Sequence, residues 1–264
     1  MNTLRKFAIE LRTAWHLTIE YRIAVFIWIF AMVLPFIMLS AWLAIAESGP
    51  VGRFGRNEFI AYYIAVLIVR NMTGVFIIWE QDYDIRQGQL SFKLLKPMNP
   101  VVHYLALSLG SKPVRMVLLT PLVIGISLYF PAVKFAFDPV SLLLFGLAMI
   151  GNWLILFFIQ YITGLLAFWI TQSLNVNEMW FMVFSLFSGY LIPLELFPAG
   201  LRDVLYASPF RYMLSFSAEV FTGQLTRIEI LQGLAIEWFW VGVFYVTYRF
   251  VWWRGLRRFS AVGA

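Results

Sequence analysis

"PVSLLLFGLAMIGNWLILFFIQYITGLLAFWITQSLNVN", Pro139 to Asn177, runs for 39 residues without an Asp, Glu, Lys or Arg. At ~1.5 Å per helical residue it is about twice as long as a bilayer's hydrocarbon core is thick, so it has to turn back once. The polar patch "TQSLNVNE", Thr171 to Glu178, is the natural turn. A soluble core does not need so much uninterrupted apolar chain.

Working outward, other stretches of the same kind appear. Ile23 to Ala46 has no charge, Phe59 to Trp79 has only Arg70, Met116 to Val133 has none, and Met179 to Leu194 has none. Glu229 to Trp253 is apolar apart from Glu229, Glu237 and Arg249. The whole chain is 61% hydrophobic and 13% charged, against about half apolar and a quarter charged in soluble domains. Six spans are expected, at roughly 23–46, 57–79, 113–132, 139–170, 178–194 and 230–252. Strands of ~10 alternating residues, the mark of a membrane β-barrel, are missing. The fold class is therefore all-α and polytopic, one membrane domain over residues 1–264.

There is no cysteine, which excludes disulfides and thiolate metal sites. The two histidines, His16 and His103, lack metal-ligand spacing. "AIAES" at Ala44 to Ser48 resembles a signal-peptidase site, but the apolar run before it exceeds the ~7–15 residues of an h-region, so an uncleaved span is expected. With six spans and the N-terminus inside, thirteen Lys and Arg lie on inside segments and six on outside ones. That bias places both termini in the cytoplasm. The same bias accounts for the net charge of +6 without nucleic acid as a partner.

Residues 1–22 precede the first span. Leu4, Ala8, Leu11, Trp15 and Ile19 fall on one helical face and Arg5, Lys6, Arg12, His16 and Glu20 mostly on the other, as in a helix lying among membrane lipids at the interface. Residues 80–100 form a charged cytoplasmic segment between the second and third spans. Wound as one helix from Asp82 to Lys96, it has a polar stripe of Asp82, Arg86, Gln89, Lys93 and Lys96, with Asp84 among its charges. Ile85, Gly88, Phe92 and Leu95 make the opposite stripe, with Leu94 beside it. Asp82 and Arg86 are an i,i+4 pair, and Pro97 ends the helix. Residues 188–228 are too apolar for a solvated loop. Pro193, Pro198 and Pro209 cut them too often for a span, so short re-entrant helices packed on protein are expected.

Two motifs carry a resemblance. Ser188-Gly189, Pro193, Pro198 and Ser208-Pro209-Phe210-Arg211-Tyr212, with Glu195 among them, resemble the region before the last span in permeases of ATP-binding-cassette type 2 exporters. Arg86, Gly88, Leu94-Leu95, Pro97, Asn99 and Pro100 resemble a subgroup with Arg-x-Gly before Leu-Leu-x-Pro-x-Asn-Pro. The resemblance implies six helices per permease, and a pathway formed with a second permease, identical or different. It implies a coupling helix in segment 80–100 that docks on a cytoplasmic ABC ATPase dimer, and a multi-pass place in the bacterial plasma (inner) membrane. The chain has no G-x-x-x-x-G-K-S/T phosphate cradle. ATP and Mg are then expected on the partner ATPase, with no cofactor in this chain and no enzyme activity of its own.

On that reading Asp82, Asp84, Ile85, Arg86, Gly88, Phe92, Leu95, Lys96 and Pro97 would couple to the ATPase. Arg70, Asn71, Asn152 and Gln160 are candidates for the translocation path. For Arg70 a structural pair with Glu178 or Glu80 is an equal alternative, and interhelical hydrogen bonds are the plainer role for Asn152 and Gln160. Glu237 is expected to reach the outer interface. No nucleophile or acid–base arrangement points to an enzyme. A secondary transporter or a non-transporting membrane scaffold is the alternative; the former would need several buried acids and repeated halves.

Overall fold

The computed structural model of the chain describes residues 3–20, 34–130, 135 and 138–259. The described residues are helical, with one isolated bridge, Val51 to Phe54, in the turn after the first apolar helix. In chain order the helices are α1 (Thr3–Glu20), α2 (Leu34–Ala46), α3 (Arg56–Thr73), α4 (Ile78–Arg86), α5 (Leu90–Leu95), α6 (Pro100–Gly110), α7 (Lys112–Tyr129), α8 (Pro139–Leu165), α9 (Ser173–Phe187), α10 (Ala199–Ala207), α11 (Pro209–Tyr212), α12 (Ser215–Phe221) and α13 (Arg227–Leu256).

Among the described residues three segments are long and apolar enough to cross a membrane: Arg56–Arg86, Pro139–Phe168 and Arg227–Leu256. A fourth, the bent pair Pro100–Val117 and Leu119–Ile126, qualifies if it is one span. Helices α2 and α9 are apolar but short, 13 and 15 residues. The expected first span falls partly outside the described residues, as do the end of the third and the loop 133–138. Two boundaries differ from the sequence expectation. The polar patch Thr171 to Glu178 is not wholly a turn: the chain reverses over 169–172, and Ser173 already starts α9. The second span does not run unbroken to Trp79. It stops at Thr73, runs non-helically over 74–77, and resumes as α4.

The core is aromatic and runs lengthwise between α3, α8, α12 and α13. Tyr161 of α8 sits between Phe157, Tyr104 of α6 and Tyr248 of α13, with ring centroids 5.3–5.7 Å apart, a spacing at which aromatic pairs stabilise beyond their buried area. Such side chains need small partners where helices close up. Gly151 of α8 is one: a Cβ there would lie 2.6 Å from the carboxyl carbon of Glu237. Glu237 is fully buried in that gap, with neither carboxylate oxygen hydrogen-bonded. The expectation that it reaches the interface is corrected: three turns into α13, its carboxyl has Gly151 and not solvent to rest on.

The N-terminal helix is present and packs along α6. Its inward face is centred on Ala14, while Ile9, Leu17 and Ile19 remain exposed. The contact is close because Gly110 has no side chain. A Cβ at Gly110 would lie 2.6 Å from the Ala14 Cβ and 3.0 Å from its backbone carbonyl carbon. Backbone cannot yield as a side-chain tip can. Gly110→Val is therefore expected to cost about 1–3 kcal/mol by overpacking, read as a lower thermal midpoint, and to make α1 the first segment cut in limited proteolysis. A variant with unchanged midpoint and cleavage order would show that α1 is not held here.

Candidate functional site

The charged segment between the second and third candidate spans is two short helices, α4 and α5, with a turn at Gln87 to Gln89. A single helix over Asp82 to Lys96 does not form. The reason is Gly88, whose φ is +72°, a left-handed conformation that a glycine adopts at no steric cost. The Ser91 hydroxyl donates to the Gly88 carbonyl at 2.6 Å and locks the turn. Asn99 caps α6, its side-chain oxygen accepting from the Val101 amide at 3.0 Å, with Pro100 at the first helical position, where a missing N–H costs nothing.

The turn reverses which stripe is buried. Asp82 and Asp84 are each only 4% exposed, whereas Phe92 is 64% and Leu95 82% exposed. The acids are affordable inside because each is paired. The Lys93 ammonium donates to the Glu80 carboxylate at 2.8 Å and to Asp84, which also accepts from the Tyr104 hydroxyl. Arg86 pairs with Asp82 at 3.0 Å, as its i,i+4 spacing implies, and donates to the Thr171 carbonyl in the α8–α9 turn. The Ser173 hydroxyl donates to the other Asp82 oxygen. Ile85 turns into the core, separated from Phe92 and Leu95 by the kink. What remains outside is an apolar knob of Tyr83, Phe92, Leu94 and Leu95, edged by Arg86, Lys96 and Pro97.

The N-terminal helix closes the same network. The His103 ring joins Glu10 of α1 at 2.9 Å and Glu80 of α4 at 2.8 Å. The Lys6 ammonium donates to the Pro97 carbonyl at 2.6 Å, and Lys96 lies 3.9 Å from Glu10. Sequence reasoning missed Glu10, Glu80, His103 and Tyr104 as members. The signal was one of economy: a chain poor in charge places four of its acids and its second histidine within or just beside two short segments.

The other candidates separate. Arg70 and Gln160 line one cavity of about 180 Å³, together with Trp79, Asn177, Glu178, Trp180, Phe181 and Phe184. The Arg70 guanidinium stands over the rings of Phe76, Phe181 and Phe184 at 4.9–5.6 Å. Among the described residues it forms no ion pair, and Glu80 is engaged by Lys93 and His103, so the expected structural pair with Glu80 or Glu178 is absent. Gln160 donates to Asn177. Asn71 turns back to the Leu67 carbonyl of its own helix at 2.8 Å, and Asn152 meets Ser217 of α12 at 3.4 Å; neither lines that cavity.

Residues 188–228 are broken where the prolines stand. Pro198 precedes α10, Pro209 opens α11, and Pro193 precedes a short 3₁₀ turn at Leu194–Leu196. The stretch is pinned to α3. The Tyr62 hydroxyl donates to the Gly189 carbonyl at 2.8 Å, and Ser188 accepts from the Ser215 amide at 3.0 Å. Tyr212 is fully buried and donates to the Tyr206 carbonyl, and Glu195 pairs with Arg53. Arg211 and Glu219 form a pair at 2.6 Å. Burial works against the Arg211 charge, but the Glu219 carboxylate more than offsets this and holds the guanidinium above its ordinary value.

Helices that cross a membrane, a broken stretch packed on protein before the last of them, and a charged two-helix segment with an apolar knob define a helical membrane protein built to meet a partner. A family profile described as ABC-2 family transporter protein matches residues 29–263. The chain belongs to this family, whose membrane domains are permease subunits of ABC transporters, without an ATPase site of their own and associated with an ABC ATPase. No curated protein matches the chain.

Removing one partner of a buried ion pair leaves the other charge uncompensated and costs roughly 3–5 kcal/mol. Lys93→Met should accordingly lower the thermal midpoint sharply, and adding Asp84→Asn should restore part of the loss. A double variant no better than the single one would show that Lys93 and Asp84 do not act as a pair.

Proposed function

We propose that this chain is the permease subunit of an ABC exporter and that the knob of Tyr83, Phe92, Leu94 and Leu95 is where a cytoplasmic ABC ATPase docks. The observation that carries this is the inversion of the charged segment. Carboxylates that would keep a free loop in water are turned inward and neutralised, and large apolar side chains are turned outward. Exposed apolar anchors supply most of the affinity of an interface, and a polar rim sets register and rate. Arg86, Lys96 and Pro97 make that rim. Because α4 and α5 are fixed to α1, α6 and the α8–α9 turn, a push on the knob reaches the spans as a rigid displacement. ATP and Mg belong to the partner ATPase, which acts as a dimer beneath two permeases, identical or different. The membrane is the bacterial plasma membrane, with both termini and the knob in the cytoplasm, α1 lying in the interface, and residues 188–228 at the outer face.

Docking is tested by co-purification with the ATPase and by stimulated ATP hydrolysis in lipid. Phe92→Ala with Leu95→Ala should weaken binding at least ~10-fold, about 1.4 kcal/mol or more, with normal insertion and little change in thermal midpoint. Lys96→Ala should do much less. Unchanged binding and hydrolysis in the double variant would leave the segment a connector.

Orientation has its own test. The natural chain contains no cysteine, so single cysteines can be probed with an impermeant maleimide on intact cells. A cysteine at Ser48 should label and one at Gln87 should not. The reverse pattern would overturn the topology.

A further inference from the structure

We infer that the break at residues 74–77 is the floor of an anion-binding site in which Arg70, Lys112 and Arg115 converge on a phosphate group. Three cations come together at this break. Arg70 stands in the last turn of α3 before it, and Lys112 and Arg115 lie in the first turn of α7 beside it. The Arg70 and Arg115 guanidinium carbons lie 5.6 and 4.9 Å from the centroid of the same ring, Phe76. The Lys112 ammonium donates to the Gly74 carbonyl at 3.2 Å. The charged groups that act on Lys112 are those of Arg115 and Arg70, and the one that acts on Arg115 is that of Arg70.

Among the described residues, none of the three forms an ion pair. Glu178 lines the cavity beside Arg70 without pairing with it. Arg115 is 9% exposed, and its Nε and Nη1 have no hydrogen-bond partner. A buried guanidinium with two unused donors is costly, and like charges beside it add to the cost. Elsewhere in this fold every buried charge of the 80–104 region is matched by its opposite. At this break no such match exists among the described residues.

The backbone is shaped for it. A Cβ at Gly74 would lie 2.8 Å from the Arg70 carbonyl oxygen, 3.2 Å from the Phe76 ring and 3.6 Å from the Arg70 guanidinium. Only glycine lets the chain turn this close to the last-turn carbonyl of Arg70 and the Phe76 ring. Non-helical backbone at membrane depth persists only where it is packed in protein or lines a cavity; Val75, Phe76 and Trp79 line the 180 Å³ cavity with Arg70, while Lys112 and Arg115 reach the break from α7, outside that lining. The break leads directly into α4, which carries Glu80 of the Glu80–Lys93 cluster. Two guanidinium forks and an ammonium suit a phosphate, which offers several oxygens and more than one charge.

The phosphate can come from a lipid headgroup or from a free anion, and the test separates these. The full chain is placed in nanodiscs of phosphatidylcholine alone, in discs that also contain phosphatidic acid, and in phosphatidylcholine discs with added inorganic phosphate. Thermal midpoints are read in each, since a ligand of the native state raises them. The wild-type chain should gain several degrees in at least one anionic condition. A gain only with phosphatidic acid identifies the headgroup; a gain with inorganic phosphate identifies a free anion. Arg115→Gln and Arg70→Gln should lose the gain and show a midpoint in phosphatidylcholine at least as high as wild type, because an uncompensated charge has been removed. Arg115→Lys should keep part of the gain. No gain for the wild-type chain in either anion would overturn the site. So would Arg115→Gln lowering the midpoint equally in all three conditions, or a loss accompanied by separation of two copies, which would place the missing carboxylate on a second chain.

Discussion

The ammonium of Lys93 between Glu80 and Asp84 decides how α4, α5 and α6 are arranged. Without a cation at that point, Asp84 could not be buried one turn from the partly exposed Glu80, and α4 would have to rotate its charged side to water. With it, α4 buries Asp82, Asp84 and Ile85 together, α5 folds back across the kink at Gly88, and α6 comes near enough for Tyr104 and His103 to join. The aromatic core then follows from the placing of Tyr104, because Tyr161 stacks on it and on Tyr248 beyond. Polar pairing at one end of the bundle thus sets the register of the apolar packing along it.

The membrane imposes the second constraint. Every departure from helix must be paired or buried, and each break here has a named means of doing so. Gly88 turns left-handed and is held by Ser91; the stretch after Ser188 is held by Tyr62 and Ser215; the break at 74–77 takes a hydrogen bond from Lys112. Glycines stand at all three places for different steric reasons. Gly88 and Gly189 supply positive φ, while Gly74 leaves room for the Arg70 carbonyl and the Phe76 ring.

Much of the fold was legible in the sequence because its signals are local. The prolines at 193, 198 and 209 break the chain where they stand. The Asp82–Arg86 pair follows from spacing. Within the described residues the apolar runs that showed a polytopic helical protein return as helices, and there three segments, or four with the bent pair, are long enough to cross a membrane by themselves. What the sequence hid was which way things face. A two-faced helix in a greasy protein has no solvent to fix its polar side outward, so periodicity left the orientation of Asp82 and Phe92 open, and it fell opposite to the aqueous habit. Contacts such as Glu10 to His103, 93 residues apart, leave no local trace. Arg70 was visible as an anomaly, but its lack of a carboxylate could be seen only once Glu80 was found occupied.

The fit of Glu237 against Gly151 carries a consequence for how this sequence can drift. The carboxyl occupies the space that a side chain at 151 would fill, so the two positions share one volume. Neither can grow while the other stays as it is. Among descendants of this chain, a larger residue at 151 should appear only with a shorter one at 237, and the two positions should change together, although 86 places separate them in the sequence.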